Sequence, residues 1–286
     1  MSSWRSRRAQ DPWRSRTCPG SDRRCCSSPA VIARPGATAG GASTLSRDTG
    51  SSPSRGRVTG GTRVGPLGAA EFAPLVREVC EQLDITEIAA AVGVSFGGLQ
   101  AVHVAEDREQ GVPRLMLHSC APSTLPYPDT RAEAIVGPVV FSPLLQGLVW
   151  RLVRRMVGSD AGLRRMMARL SRLPVDDWWG QLSAADRDEA RALFQSMGSD
   201  SGFAIDLRQG RARDAAARRD ALSKVPCPTL VTGSPHDRGV SYAHAEDLAA
   251  VIPDAVLVEL DSASHLFWIG AGRARVGLIV GAFIDE

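Results

Sequence analysis

Hydrophobic and polar positions along the chain follow a helical spacing in some stretches and a strand-like spacing in others. Apolar residues repeat at helical spacing between residues 68 and 83, which predicts an amphipathic helix there. The apolar run Ile88–Val94 follows at once and predicts a buried strand, residues 96–106 predict a helix, and residues 114–119 predict a second buried strand. This strand–helix–strand order predicts a parallel sheet with right-handed crossovers.

The alternation of strands and helices stops between residues 122 and 221, where the sequence turns helical. Residues 148–173 hold seven arginines with interleaved Leu, Val and Met, a pattern typical either of a membrane-surface helix or of one face of a lid packed on the sheet. We favour the lid, a helical cap, because the segment is an insertion between two sheet strands. Trp178 and Trp179 either line a pocket in this insertion or fill its core.

Strand character returns near the C-terminus. Residues 228–232 predict a strand, 242–251 a helix, 255–260 a further strand and 273–283 a last helix. The sequence therefore predicts an α/β fold, in which a mostly parallel central sheet is flanked by helices. Residues 67–121 and 222–286 would form this core, and residues 122–221 would form the cap inserted between its two parts.

The first 66 residues differ from the rest in composition and charge. They hold twelve Arg, three Asp and neither Lys nor Glu, a net charge of +9, whereas the remaining 220 residues carry −6. They are rich in Ser, Gly and Pro and show no periodicity beyond the short apolar run Ala30–Ala33. We interpret residues 1–66 as disordered or as a non-native start of the chain.

Charge and cysteine content narrow the classes of partner. The basic character belongs to the N-terminal segment alone, so nucleic acid is not an expected partner. Cys80, Cys120 and Cys227 are widely spaced, no spacing matches a zinc site, and isolated thiols suit a reducing, cytoplasmic compartment. We expect no metal and no cofactor. Contact of the cap with a membrane surface is the less favoured interpretation of residues 148–173.

A Gly-x-Ser-x-Gly motif joins the first predicted strand to the following helix, at Gly93-Val94-Ser95-Phe96-Gly97. A strand, sharp turn and helix around such a motif form a nucleophile elbow, in which the serine hydroxyl stands clear of the sheet edge. Gly93 and Gly97 leave room where a Cβ atom would collide. Ser95 is therefore the candidate nucleophile. A glycine-rich turn can also bind a phosphate, but the Gly-x-Gly-x-x-Gly pattern of nucleotide-binding turns is absent.

A candidate acid and a candidate base follow later in the chain. Asp237 lies just beyond one predicted strand and His265 just beyond the next. In a parallel sheet these strand ends share one edge, so both residues can converge with Ser95. Each also has a structural interpretation, because an Asp can close a turn and a His can be a hydrogen-bonded core residue. Asp254 and Asp261 are alternative acids that are less well placed.

From Phe72 to its C-terminus, the chain resembles the α/β-hydrolase superfamily, in the form of a serine hydrolase with a helical cap. The resemblance is carried by the elbow at residues 93–98, the strand at residues 228–233 that leads to Asp237, and residues 264–267 around the histidine. It implies the α/β-hydrolase fold and a Ser-Asp-His triad in this chain order.

The resemblance also implies a role for each candidate residue. Ser95 would attack an acyl or related electrophilic carbon, His265 would act as base and then as acid, and Asp237 would orient the imidazole. The backbone N–H of Phe96, just after the nucleophile, would provide one oxyanion donor. The implied activity is that of a serine hydrolase acting on an ester, lactone or similar small molecule.

The segment before Ser95 departs from the family's pattern. The family's second oxyanion donor comes from a loop after an early strand, and nothing before Ser95 has that strand and motif, so the early strands are missing from the sequence pattern. Residues 30–36 faintly resemble the family's following strand and its Pro-Gly loop, and residues 1–28 stand where the preceding strands should be. Loss of one oxyanion donor costs about 10²–10³ in rate, so we expect a weakened enzyme. The alternative is a non-catalytic small-molecule-binding protein of the same fold.

Overall fold

The computed structural model describes residues 30–33, 67–128, 145–197 and 202–285, to which the following description applies. These residues form a five-stranded sheet flanked by helices. The strands lie side by side in chain order, with the second to the fifth parallel and the first antiparallel to the second. They are β1 (Ala30–Ala33), β2 (Ile88–Val94), β3 (Leu115–His118), β4 (Thr229–Gly233) and β5 (Ala255–Glu259).

The strands of the parallel sheet lie where the apolar runs predicted them. β2 has the predicted bounds, and β3, β4 and β5 differ from the prediction by at most one residue at each end. β1 falls inside the segment that we interpreted as disordered or as a non-native start of the chain. Residues 1–29 and 34–66 lie outside the described residues, and for them the disorder, the non-native start and the missing early strands stay predictions.

The described helices also follow the predicted order. Those before β3 and after β4 match the predicted helices of the core, and those between β3 and β4 form a helical insertion, of which residues 129–144 and 198–201 lie outside the description. The core helices are α1 (Ala69–Gln82), α2 (Gly97–Glu106), α9 (Tyr242–Val251) and α10 (Gly272–Asp285). The insertion contains α3 (Gln146–Met156), α4 (Asp160–Ala168), α5 (Asp176–Trp179), α6 (Ala184–Ser196), α7 (Gly202–Gln209), the 3₁₀-helix Ala212–Asp214 and α8 (Ala215–Ser223).

The sheet separates two apolar cores. Leu115 and Leu117 of β3 pack on one face, among buried side chains of α1, α2, α8 and α9. Met116, which lies between them in sequence, packs on the other face near Ile279 and Val280 of α10. Successive strand residues point to opposite faces, so a strand covered on both sides is a continuous apolar run. This is why short apolar runs were a sufficient signal for these strands.

The helical insertion has an apolar core of its own, which continues into the segment after His265. Buried Leu163, Met167 and Trp178 pack in one cluster with Leu266 and Ile269. Trp178 is only 7% exposed and fills this core, which is one of the two interpretations that the sequence left open. The insertion is thus packed against the loop that follows the last strand.

The surface of the insertion is basic and partly apolar. Leu148 and Leu152 of α3 are 62% and 64% exposed, and Arg151 and Arg155 on the same helix are exposed as well. None of the helices in the described ranges is long and apolar enough to cross a membrane. Contact of this helix with a membrane surface stays the less favoured alternative.

Candidate active site

Ser95 stands at the turn between β2 and α2, as the Gly-x-Ser-x-Gly motif predicted. Its φ angle is 53°, in the left-handed region that residues other than glycine rarely adopt. The Ser95 N–H donates to the carbonyl oxygen of His118 on β3 at 3.2 Å, and the Ser95 carbonyl accepts from the N–H groups of Gly98 at 3.2 Å and Ala121 at 3.3 Å. A strained backbone held by its surroundings at a strand end is the geometry of a nucleophile elbow.

Two glycines around the elbow have no room for a side chain. A Cβ atom at Gly93 would lie 2.7 Å from the Cα atom of Gly98, and one at Gly98 would lie 2.6 Å from the Cβ atom of Cys120. Cys120 itself is buried, its thiol donates to the Gly93 carbonyl oxygen at 3.2 Å, and burial raises its pKa. The sequence predicted that Gly93 has no room for a side chain. At Gly98 the space is taken by Cys120, which is not part of the motif.

Asp237 and His265 are brought together by the structure. His265 Nδ1 and Asp237 Oδ2 are 2.7 Å apart in a hydrogen bond between a carboxylate that is 1% exposed and an imidazole that is 13% exposed. The other carboxylate oxygen, Oδ1, accepts the N–H groups of Gly239 at 2.7 Å and Val240 at 2.9 Å. Both oxygens of this buried carboxylate therefore have partners, as burial of a charge requires.

The three predicted residues follow three parallel strands at the same edge of the sheet. Ser95 directly follows β2, and Asp237 and His265 lie in the loops after β4 and β5. The alternative acids lie elsewhere: Asp254 is at the opposite edge, where its carbonyl accepts the N–H of Thr229 at the start of β4, and Asp261 is exposed. Asp237 is thus the acid that the structure pairs with His265.

Tyr127 links the elbow to the loop of Asp237, and no sequence motif indicated it. Its ring contacts that of Phe96, edge to face, with centroids 4.9 Å apart, and its hydroxyl donates to the Gly239 carbonyl oxygen at 2.8 Å. Phe96 follows Ser95 in sequence, and the N–H of Gly239 binds the Asp237 carboxylate. One side chain therefore reaches both the nucleophile's turn and the acid's loop.

The loop that carries Tyr127 is fixed by buried polar groups. The guanidinium of Arg218, which is 3% exposed, donates to the carbonyl oxygens of Ser123 at 2.5 Å and Thr124 at 3.3 Å. Asp247 accepts the Thr124 N–H at 2.7 Å, and His244 Nδ1 lies 2.9 Å from the Ser123 hydroxyl oxygen. Buried polar groups with partners hold a loop in one arrangement, so Tyr127 is placed on a rigid support.

His118 forms a neutral, buried link between the elbow and β4. It is 4% exposed, its Nδ1 is 2.8 Å from the Thr232 hydroxyl oxygen, and its ring centroid is 5.2 Å from that of Phe267. Burial lowers the pKa of His118 to about 4, because desolvation disfavours the charged imidazolium. His118 is consequently uncharged at neutral pH, and its carbonyl oxygen is the group that accepts the Ser95 N–H.

Neither thiols nor metal ligands form a second chemical site in the part of the chain that is described. Cys80, Cys120 and Cys227 are free and buried. Over the same ranges, no group of three or more His, Cys, Asp or Glu side chains is placed to hold a metal ion.

Comparison with known proteins identifies a family. A family model described as the alpha/beta hydrolase fold matches residues 44–271, which is more than half of the chain and begins before Phe72, where the resemblance in the motifs began. The hydrolase YcgS of Bacillus subtilis (strain 168), described as uncharacterized, is 29% identical over 198 residues, which are 68% of this chain and 68% of YcgS.

Solved structures share the fold. A thermophilic esterase from Thermogutta terrifontis has a TM-score of 0.55 and 21% identity over 80% of this chain and 77% of the esterase. The enol-lactonase from Burkholderia xenovorans LB400 has a TM-score of 0.53 and 24% identity over 81% of this chain and 79% of the lactonase. At such identities these structures establish a common fold.

Proposed function

The chain belongs to the alpha/beta hydrolase fold family, and we propose that it is a serine hydrolase that cleaves an ester, lactone or similar small molecule admitted beneath the helical insertion. The observation that carries the proposal is the buried Asp237–His265 hydrogen bond of 2.7 Å at the same sheet edge as the strained turn of Ser95. A catalytic triad needs this combination of an oriented base and a nucleophile held on a sharp turn.

In the proposed mechanism, the Ser95 Oγ atom attacks the carbonyl carbon of the substrate while His265 Nε2 accepts the hydroxyl proton. The carboxylate of Asp237 accepts the Nδ1–H of His265, which leaves Nε2 unprotonated and free to act as the base. The protonated His265 then gives its proton to the leaving group. Water, activated by the same nitrogen, hydrolyses the acyl-enzyme and regenerates Ser95.

The oxyanion formed by this attack requires hydrogen-bond donors. We assign one of them to the backbone N–H of Phe96, because Phe96 follows the nucleophile and starts the turn into α2 with φ −61° and ψ −21°. In the family the second donor comes from a loop before Ser95, and the sequence before Ser95 shows no matching strand and motif; residues 34–66 lie outside the described ones.

The names of the relatives agree with this reaction class. YcgS is called a hydrolase, and the two solved structures are an esterase and an enol-lactonase. Esters and enol lactones both contain an acyl–oxygen bond, which is the bond that a serine nucleophile breaks through an acyl-enzyme. This shared bond supports the substrate class, and the helical insertion would select the individual substrate.

The first test is Ser95→Ala, assayed with 4-nitrophenyl acetate and with a fluorophosphonate probe. We expect loss of turnover and loss of probe labelling, since the covalent step needs the Ser95 hydroxyl. Ser119→Ala is the matched control, because Ser119 follows the neighbouring strand β3 and has a similar φ angle of 48°. This control should retain both activities.

Turnover and labelling that persist in Ser95→Ala would contradict the proposal. Ligand-dependent thermal stabilisation of the unchanged protein, with neither turnover nor labelling, would instead support the non-catalytic binding protein. Measuring all three properties on one preparation therefore separates the two functions.

A further inference from the structure

One short segment of the helical insertion, residues 170–172, contacts both the loop of Asp237 and the loop of His265, and we call it the clamp. It follows α4 and passes across both loops. The carbonyl oxygen of Leu170 accepts the N–H of His265 at 2.9 Å and the N–H of Arg238 at 3.3 Å. A single oxygen atom thus holds the proposed base itself and the residue that follows the proposed acid.

Arg172 binds the acid's loop twice. Its backbone N–H donates to the His236 carbonyl oxygen at 2.8 Å, and its side-chain Nε–H donates to the Asp237 carbonyl oxygen at 2.9 Å. Ser171 and Asp237 also form an isolated antiparallel bridge, so the clamp runs beside the loop like a short additional strand. Asp237 is therefore held through its backbone by the insertion and through its carboxylate by its own loop.

Ser171 binds the histidine's loop. Its hydroxyl, in a residue that is 3% exposed, donates to the Ala263 carbonyl oxygen at 2.5 Å and accepts the Leu173 N–H at 3.0 Å. The apolar core of the insertion reaches the same loop through Leu266, directly after His265. Polar and apolar contacts of the insertion thus converge on both sides of the histidine.

We propose that the clamp is a positioning element, in which Arg172 holds the backbone of Asp237 at the distance that the hydrogen bond to His265 requires. The inference rests on the proposed function for the catalytic role of the pair. The two residues lie on loops from different strands, so their 2.7 Å contact depends on how far apart the loops are held. Because a misplacement of about 1 Å can cost about 10²-fold in rate, the insertion would set activity as well as substrate access.

Arg172 is the side chain of the clamp that can be tested without disturbing the core. It is exposed, and removal of its guanidinium leaves its backbone N–H in place. Arg169, three residues earlier in the same basic stretch, is also exposed, and its side chain makes no hydrogen bond or ion pair described here. Arg169→Ala therefore removes the same charge without removing a contact to the acid's loop.

The experiment compares Arg172→Ala, Arg172→Lys and Arg169→Ala with the unchanged enzyme. Loss of the bond to the Asp237 carbonyl should lower kcat for 4-nitrophenyl acetate by about tenfold and leave KM unchanged, because the contact positions the pair and does not touch substrate. Arg172→Lys keeps a cationic donor and should recover part of the loss, and Arg169→Ala should match the unchanged enzyme.

A second readout does not depend on turnover. The Nδ1–H proton shared by His265 and Asp237 gives a downfield proton NMR signal, which His265→Gln identifies by its loss. In Arg172→Ala this signal should broaden or shift, because the pair is held less firmly, whereas in Arg169→Ala it should stay as it is. An unchanged signal or an unchanged kcat in Arg172→Ala overturns the positioning role.

The two proposals fail in distinguishable ways. If the unchanged protein neither turns over the ester nor labels at Ser95, the proposed function fails. The NMR comparison then still decides whether the clamp holds the Asp237–His265 pair. If turnover depends on Ser95 but all three arginine variants behave alike in both readouts, the positioning role fails and the proposed function stands.

Discussion

Around Ser95, close-packed backbone leaves no room for further atoms, whereas Asp237 and His265 are kept in place by hydrogen bonds from several directions. On the nucleophile side, a Cβ atom added at Gly93 or Gly98 would lie within 2.7 Å of a neighbouring atom, and the turn is held by main-chain bonds. On the other side, the Asp237 carboxylate has three hydrogen-bond contacts, and its carbonyl oxygen accepts a bond from Arg172.

The difference predicts how each side responds to substitution. Added atoms should harm the nucleophile side, because a packed interior cannot expand without strain. Removed polar atoms should harm the acid–histidine side, because each lost bond leaves a buried group without a partner. Substitutions that add or remove single atoms can therefore test the comparison directly.

The largest effect is expected from Asp237→Asn, which changes one oxygen to an amide nitrogen and keeps the volume. The amide oxygen can still accept the N–H groups of Gly239 and Val240, but the NH₂ group then faces His265 Nδ1 and favours the wrong tautomer. We expect kcat to fall about 10⁴-fold with the fold retained, measured by steady-state kinetics and circular dichroism.

The control for this substitution is Asp261→Asn, at the alternative acid, which is exposed and precedes the histidine in the same loop. It should change kcat little. Equal losses from both substitutions would show that negative charge near the site matters, and that the specific hydrogen bond does not.

A smaller effect, on stability, is expected when a Cβ atom is added on the nucleophile side. Gly93→Ala places the new atom 2.7 Å from a backbone atom of Gly98 and should lower the free energy of unfolding, at the upper end of the about 1–3 kcal/mol typical of overpacking. Gly98→Ala places it against the side chain of Cys120, which can be removed. Urea denaturation of both variants measures the two losses.

The double variant Gly98→Ala with Cys120→Gly should recover stability relative to Gly98→Ala, after the cost of Cys120→Gly alone is subtracted in a double-mutant cycle. Gly281→Ala in α10 is the control, because a Cβ atom there meets nothing within 4 Å. It should not destabilise the protein. A Gly93→Ala protein as stable as this control would refute the steric account of the elbow.

The sequence predicted those parts of the site that depend on local pattern. β2, the elbow and the order of Ser95, Asp237 and His265 could be predicted because apolar runs locate strand ends, and because parallel strand ends share an edge. Because the topology places both loops at one edge of the sheet, contact between Asp237 and His265 can be expected. Their catalytic roles stay a proposal until the Ser95 and Asp237 variants are assayed.

The residues that hold these groups in place could not be predicted in the same way. Tyr127 and Gly239 are 112 positions apart in sequence, and Arg172 and Asp237 are 65 positions apart. Neither contact has a motif, since a tyrosine in a loop and an arginine in a basic stretch have many other interpretations. Such contacts depend on how the insertion and the loops pack together. The hydrophobic periodicity of the sequence carries no information about this long-range packing.

The smallest predicted effect, and the sharpest test of the comparison, is that of Tyr127→Phe. It removes the hydroxyl that donates to Gly239 and keeps the ring that packs on Phe96, so the acid's loop loses a contact while the ring contact to the nucleophile's turn is kept. A net loss of about 1 kcal/mol corresponds to about a fivefold fall in kcat/KM, measured with 4-nitrophenyl acetate. Tyr242→Phe, at the chain's other tyrosine, should have no such effect. A fall smaller than that of Arg172→Ala would mean that the clamp holds the acid's loop more firmly than Tyr127 does, whereas a larger fall would assign that role to Tyr127.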